Sequence, residues 1–399
     1  MGFGAIIATG DENTLLSDAL NDCLIEVRVE QSLDEPTRFG IRVREDFSAG
    51  EPMAAGAPEL KKERIITIAV KTDSGVIGLV RGPITDSSAQ YTLGGPGSWY
   101  EVHGTDRRIE LSRQCYQHAW EGRASDAAQK IISSNNFEPD VQDTDKNYTQ
   151  NTQTLNQRGT DLDFLKTLAK ENGYFLWISL DVSLQGSAGG GLGGIGLPGL
   201  PGGSGTLQVS EKAHFKTSPF RSAGSGELPS IASIKLVPSV DPAIRAGVGD
   251  DCANNVTGFQ VKEDVERPNT ASIAAVDDKS LNADSTTADD PQSAIGTKGK
   301  TLTDATGLQR SLCVTSAGNA EDVRTRAQAA LADTGWFITA TASTTAHMLK
   351  GVLQPHDIVA VQAVGSRYSG SFRVKKVTHV ITPSDHYMDL ELQSNAFSE

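Results

Sequence analysis

The sequence predicts a β-rich α+β protein in which two strand-rich halves flank an inserted α+β segment. Three observations predict it. Apolar residues recur at every second position over much of 24–103 and again over 357–392. The period shifts toward that of a helix between about 106 and 173, and a Gly-dominated run at 186–205 then separates this stretch from a second strand-rich region. At 399 residues the chain exceeds one ordinary core, so two or three domains are expected.

Ile25, Val27 and Val29 alternate with Glu26, Arg28 and Glu30, which places the apolar side chains on one face of a pleated ribbon. Phe39, Ile41 and Val43 repeat the alternation after the turn-forming Asp34 and Pro36, as a hairpin partner would. Apolar runs at 65–70, 78–84, 91–93 and 99–103, punctuated by Gly and Pro, extend the series to a small barrel or sandwich. Ser125 is placed to cap a helix bearing Ala127, Ala128, Ile131 and Ile132, with Asn135 and Asn136 as its stop. Thr160 and Asp163 resemble a capping box ahead of Leu162, Leu165, Leu168 and Ala169, and Gly173 stands where a left-handed terminator is wanted. A buried strand is expected at 174–178. The run 186–205 has almost no side chains to bury and reads as a loop or linker. Strands resume at 231–237, a polar stretch covers 282–303, and a helix over 319–332 is capped by Asn319 and carries Val323, Ala327, Ala330 and Leu331. Hairpins over 357–361, 370–374, 377–381 and 388–392 follow, with Met388, Leu390 and Leu392 on one face and Asp389, Glu391 and Gln393 on the other.

The formal net charge of −14 argues against a surface that neutralises nucleic-acid phosphates, and suits a wall past which DNA or acidic cargo slides without adhering. No apolar stretch reaches about 18 residues, so no membrane-spanning segment is expected. The run 3–9 lacks the basic start and the length of a signal peptide. Cys23, Cys115, Cys252 and Cys313 lie far apart and read as buried free thiols of a chain folded in the cytoplasm.

The sequence nominates no catalytic, cofactor-binding or metal-binding residue. Gly191, Gly193 and Gly196 fit the spacing of a dinucleotide loop, but Pro198 and Pro201 follow where that loop needs a helix N-terminus for the pyrophosphate. Of the histidines at 103, 118, 214, 347, 356, 379 and 386, no two stand three or four residues apart to meet one metal from a helix. His356 reads as a turn residue and His379 as a hydrogen-bonded strand residue. The pairs Asp250/Asp251, Asp277/Asp278 and Asp289/Asp290 read as solvated turns, and no GxSxG elbow offers a hydrolase serine. Trp99, Tyr100, Trp120 and Trp177 are the candidates for stacking on a sugar.

The segment 157–175, with Asp161, Phe164, Leu165, Leu168, Ala169, Glu171, Gly173 and Tyr174, resembles the late control D family of phage tail proteins, where a similar string forms a helix and strand in the hub's inserted domain. A second match lies at Gly370, Val374, Val377, His379 and the strand ending Asn395, Ala396, which is similar to that family's closing hairpin. Gly104 with Asp106, and Pro355 leading into Asp357, are weaker echoes; His356 stands where the family has Gly. Together these matches span about residues 20–395, and the run 186–205 is longer than the family's pattern.

The resemblance implies two similar tube-forming β-barrel domains with an α+β insertion domain and a smaller helical insertion. The expected division is a first barrel at 1–105, completed by strands near 206–240, an insertion at 106–205, and a second barrel at 230–399. It implies the structural baseplate hub of a contractile phage tail or phage-like injection system, related to the hub part of type VI secretion spikes. That hub is a homotrimer forming a pseudo-hexameric ring between the tail tube protein and a separate spike protein, assembled in the bacterial cytoplasm and carried in the virion or particle. Other baseplate proteins are further partners, and DNA or protein cargo passes through the lumen. No cofactor and no enzymatic activity are implied. The alternative is a particle-associated carbohydrate-binding or cell-wall hydrolase module seated in 106–220.

Overall fold

Sixteen strands hydrogen-bond into one mixed sheet among the described residues of the computed structural model, which are 4–48, 50–72, 75–92, 97–149, 155–185, 206–218, 235–237, 255–276, 283–289, 295, 301–307, 309–317 and 320–397. The Gly-rich run 186–205, Asn319, Cys252, Asp250, Asp251, Asp277, Asp278 and Asp290, and parts of 231–237 and 282–303, lie outside the described residues. The sheet's path runs from Glu138–Val141 through Thr206–Lys216, Thr14–Leu15, Ala5–Thr9, Ile65–Thr72, Gly75–Gln90, Trp99–Thr105 and Arg38–Arg44 to Leu24–Ser32. It continues through Gly370–Ile381, His386–Ser394 and Ile338–Thr345 to Gly258–Glu263.

Two features make the path continuous. Gly75–Gln90 is long enough to serve two partners, pairing with Ile65–Thr72 up to Pro83 and with Trp99–Thr105 from Ile84 onward. Leu24–Ser32 pairs antiparallel with Gly370–Ile381, setting Val29 opposite His379. Two separate closed barrels are therefore not what the described strands form, because the strands of one sequence half join directly to those of the other. Alternation marks which face of a strand is buried but says nothing about which distant strand lies beside it.

The main core takes the inward faces of both halves, including Val27, Val29, Ile41, Ile66, Ile68, Ile84, Phe372, Val377, Leu390 and Leu392. Ile25 does not join Val27 and Val29. A bulge between Leu24 and Glu26 reverses the alternation there, burying Leu24 and leaving Ile25 39% exposed.

A second core lies in the inserted segment. Helix Ala124–Ser134 buries Ala127, Ala128, Ile131 and Ile132, and helix Asp161–Asn172 buries Leu162, Phe164, Leu165, Leu168 and Ala169, against Leu176, Ala213 and Phe215. Thr160 Oγ1 accepts from the Asp163 N–H at 3.1 Å, and Gly173 takes φ 67°, so start and stop match the sequence pattern. Ser125 is used differently. Its N–H and hydroxyl bond Thr144 inside the unit, while the Arg123 N–H at the helix start is taken by Asp126.

The smaller insertion holds strands as well as a helix. Thr270–Val276 sits between Ala283–Asp289 and Ser311–Ala317, and Val323, Ala327 and Leu331 of helix Ala320–Thr334 pack on Ala271. Ala283–Asp289 falls in the stretch expected to be a polar loop; its pairing with Thr270–Val276 supplies the order that its own side chains do not announce. Cys115 and Cys313, on strands Cys115–Trp120 and Ser311–Ala317, are exposed, and Cys23 is half-buried on the main core, against the expectation of buried thiols.

Candidate functional site

A dense polar network lies where the inserted unit meets the main sheet. Asp106 follows strand Trp99–Thr105, and its carboxylate accepts from the N–H groups of Arg108 at 3.0 Å and Thr37 at 2.6 Å. Arg108 is buried; its guanidinium pairs with Asp106 at 2.6 Å and donates to the carbonyls of Leu176 at 2.7 Å and Glu35 at 3.1 Å. One residue pair thus ties the Leu24–Arg44 hairpin to the inserted unit. Gly104 is required beside it, since a Cβ there would lie 2.4 Å from the Pro83 carbonyl oxygen and 2.2 Å from the Phe39 ring. The Gly-x-Asp echo therefore has a structural role.

A second network crosses the same seam. Glu211 on strand Thr206–Lys216 accepts from Arg81 at 2.7 Å and from Arg107 at 2.9 Å, and Arg107 also pairs with Glu110.

Beside these networks, three neighbouring strands present a polar face. Asp140 on Glu138–Val141 stands directly opposite His214 on Thr206–Lys216, and His214 directly opposite Trp177 on Phe175–Gln185. His214 Nδ1 lies 2.7 Å from Asp140 Oδ2, and its Nε2 lies 2.7 Å from Ser179 Oγ. Lys216 also bonds Asp140. Burial would raise the Asp140 pKa, but the hydrogen bonds from Lys216 and His214 outweigh it and hold the carboxyl below its ordinary value. Burial lowers His214 against the opposing pull of Asp140, so the ring is neutral at pH 7.

His356 also packs against Trp177, with ring centroids 4.4 Å apart, and its Nδ1 lies 3.0 Å from Ser218 Oγ. It holds φ 76°, the left-handed conformation that the family's Gly would adopt freely. Burial, with Arg373 adding to it, lowers its pKa to about 3. The following Asp357 is raised to about 6 by burial, while a hydrogen bond from the Gln354 N–H acts the other way.

His379 is wholly buried and hydrogen-bonded, Nε2 to Gln31 Oε1 and Nδ1 to His386 Nε2, both at 3.0 Å. The four aromatic candidates share no platform. Trp99 lies under Arg42, Tyr100 packs on the main core, Trp120 bonds Gln157 beside His118 and Phe164, and Trp177 contacts both His214 and His356. Asp140 and Ser179 were not legible as site candidates, because their partner His214 lies 74 and 35 residues away in sequence. Among the described residues, no group of three or more His, Cys, Asp and Glu could hold a metal ion, and no helix is long and apolar enough to cross a membrane.

A long strand path carrying an α+β insertion is a fold shared with solved tail proteins and a type VI secretion component. The chain is similar over nearly its whole length to the solved tail protein of Neisseria meningitidis MC58, with TM-score 0.61, 14% identity and coverage of 98% of this chain and 97% of that one. It matches the 43 kDa tail protein of prophage MuSo2 from Shewanella oneidensis at TM-score 0.62 and 11% identity, covering 99% and 100%. The E. coli c3393 protein, a component of the type VI secretion system with structural similarity to the T4 tail proteins gp27 and gp5, matches at TM-score 0.51 and 12% identity, covering 97% and 76%. No protein-family model and no curated protein sequence matches the chain. The likeness is one of fold, and it agrees with the late control D resemblance of the sequence.

Proposed function

We propose that this chain is the central hub subunit of a contractile tail or related injection particle, three copies forming a ring that joins the tail tube to a spike and lets DNA or protein cargo pass. The observation that carries the reading is the end-to-end likeness of fold to two tail proteins, one of them from a prophage, each covered over 97% or more of its own length. The ordered motifs at 157–175 and 370–396 support it independently of the likeness of fold. The ends of the strand path, open among the described residues, also fit a ring: an exposed edge strand is an aggregation hazard that closed, head-to-tail contacts between copies remove.

In this reading the partners are two further copies, the tube protein, the spike protein and other baseplate proteins, and the chain travels in the particle. The role is architectural and asks no catalysis of it. In this reading acidic residues line the lumen and repel DNA in transit, which the net charge of −14 supports. Mass photometry of the purified chain, alone and with its tube and spike partners, tests the proposal. A trimer, and density for three copies between tube and spike in particle images, is the expected result; a chain that stays monomeric and never enters particles ends the idea.

A further inference from the structure

We propose that Ser179 is an activated nucleophile that accepts the acyl group of small, reactive esters, on the polar face shared by Glu138–Val141, Thr206–Lys216 and Phe175–Gln185. This goes beyond the architectural role and stands or falls separately from it.

The argument begins with register. Asp140, His214 and Trp177 are aligned across three strands, and Ser179 follows Trp177 by two positions and so faces the same way. The opposite face, with Leu176, Ala213 and Phe215, is committed to the core of the inserted unit. The hydrogen-bond polarity is then fixed by chemistry. A carboxylate only accepts, so the Asp140 side of the ring, Nδ1, carries the proton; Nε2 of the neutral ring is left to accept from the Ser179 hydroxyl. Trp177 stacks on the imidazole at 4.5 Å with an interplanar angle of 17°, which holds the ring in the orientation that both bonds need. Nucleophile, base and orienting carboxylate are thus joined in sequence at 2.7 Å each.

The step balances as follows. Ser179 Oγ bonds the ester carbonyl carbon as its proton passes to His214 Nε2; Asp140 stabilises the resulting imidazolium. Collapse of the tetrahedral adduct breaks the bond to the leaving alkoxide, which takes the proton back from Nε2. Water, deprotonated by the same nitrogen, then releases the acid and restores the hydroxyl.

The rest of the face sets the substrate class. Strand amides lie in the plane of the sheet, so none is aimed at the developing oxyanion. The cation opposite Ser179 is Lys212, already engaged with Glu138 at 3.1 Å. Acylation is therefore expected to run ~10²–10³-fold below a site with a backbone oxyanion hole, which restricts turnover to esters with good leaving groups.

The test uses the full chain and a fluorophosphonate probe, whose fluoride departs as Oγ bonds phosphorus, followed by peptide mapping. The expected result is an adduct on Ser179, formed at a rate that falls as pH drops through a value below 6.5, where His214 takes up a proton. The groups acting on that titration are Asp140, Lys212, Lys216 and His356, besides Ser179 and Trp177. His214→Gln slows the reaction at least ~10²-fold, Asp140→Asn slows it with the adduct site unchanged, and Ser179→Ala abolishes it. Thermal melting of each variant establishes that it is folded, and the wild-type pH profile decides the matter if His214→Gln is not. No adduct on Ser179 in the folded chain, labelling spread evenly over other serines, or a rate that does not fall on acidification of the folded chain overturns the proposal.

Discussion

Arg108 carries a full charge into a place that water does not reach, and Asp106 is what makes this tolerable. Replacing one partner leaves the other charged, buried and unpaired, so Asp106→Ala is expected to destabilise the chain by about 3–5 kcal/mol, read as a shifted urea midpoint. The histidine chain gives a pH signature. Gln31 Nε2 donates to the Leu79 carbonyl, which turns its Oε1 toward His379; His379 Nδ1 then accepts from His386. Burial holds His379 well below its ordinary value and His386 at about 4. Both rings are neutral in the folded chain, while in the unfolded chain they bind protons below about 6.5. Their contribution to stability is thus present above that pH and lost as pH falls toward 4. His386→Gln should flatten this slope in a denaturation series. Asp357 runs the opposite way. With its folded pKa raised to about 6, it favours the folded state below 3.8 and loses that contribution as pH rises through 6. Asp357→Asn, which cannot ionise, should raise stability at pH 7 relative to pH 4 when compared with the wild type.

Among the elements, helix Asp161–Asn172 was the most legible, because cap, apolar stripe and terminator are all local. Thr160→Ala should cost about 0.5–2 kcal/mol through the lost cap, and Leu165→Ala, at a fully buried position, about 2–5 kcal/mol, both measurable by denaturant titration. Legibility ended where an element depends on remote partners. The alternation at Ile25, Val27 and Val29 identified a strand correctly, but the bulge that turns Ile25 outward is set by pairing with Arg38–Arg44. Ala283–Asp289, almost entirely polar or small, acquires its strand conformation from Thr270–Val276. His356 was singled out in the sequence as a departure, yet its positive φ and its place against Trp177 depend on strands that neither neighbour it nor resemble it in sequence. The relay of Asp140, His214 and Ser179 was invisible for the same reason.

At the scale of the whole molecule, the sequence pattern divided the chain into halves while the pairing runs straight through that division. The inserted unit and the smaller insertion also meet, through Arg326 and Glu171 at 3.2 Å beside their two helices. A partly exposed pair of this kind contributes ~0–1 kcal/mol, so the uncharged isostere Glu171→Gln should leave global stability nearly unchanged in a thermal melt. The seam between Leu24–Ser32 and Gly370–Ile381 has a different kind of consequence, one in time. Gln31 and His379 are bonded across 348 residues. At a synthesis rate of ~5–20 residues per second, the early ribbon leaves the ribosome roughly 20–70 s before its neighbour exists. Throughout that interval its backbone edge is open to any passing chain, so production of this protein should be most vulnerable to misassembly during translation, and chaperones that shield nascent strands should raise its yield more than those that act after release.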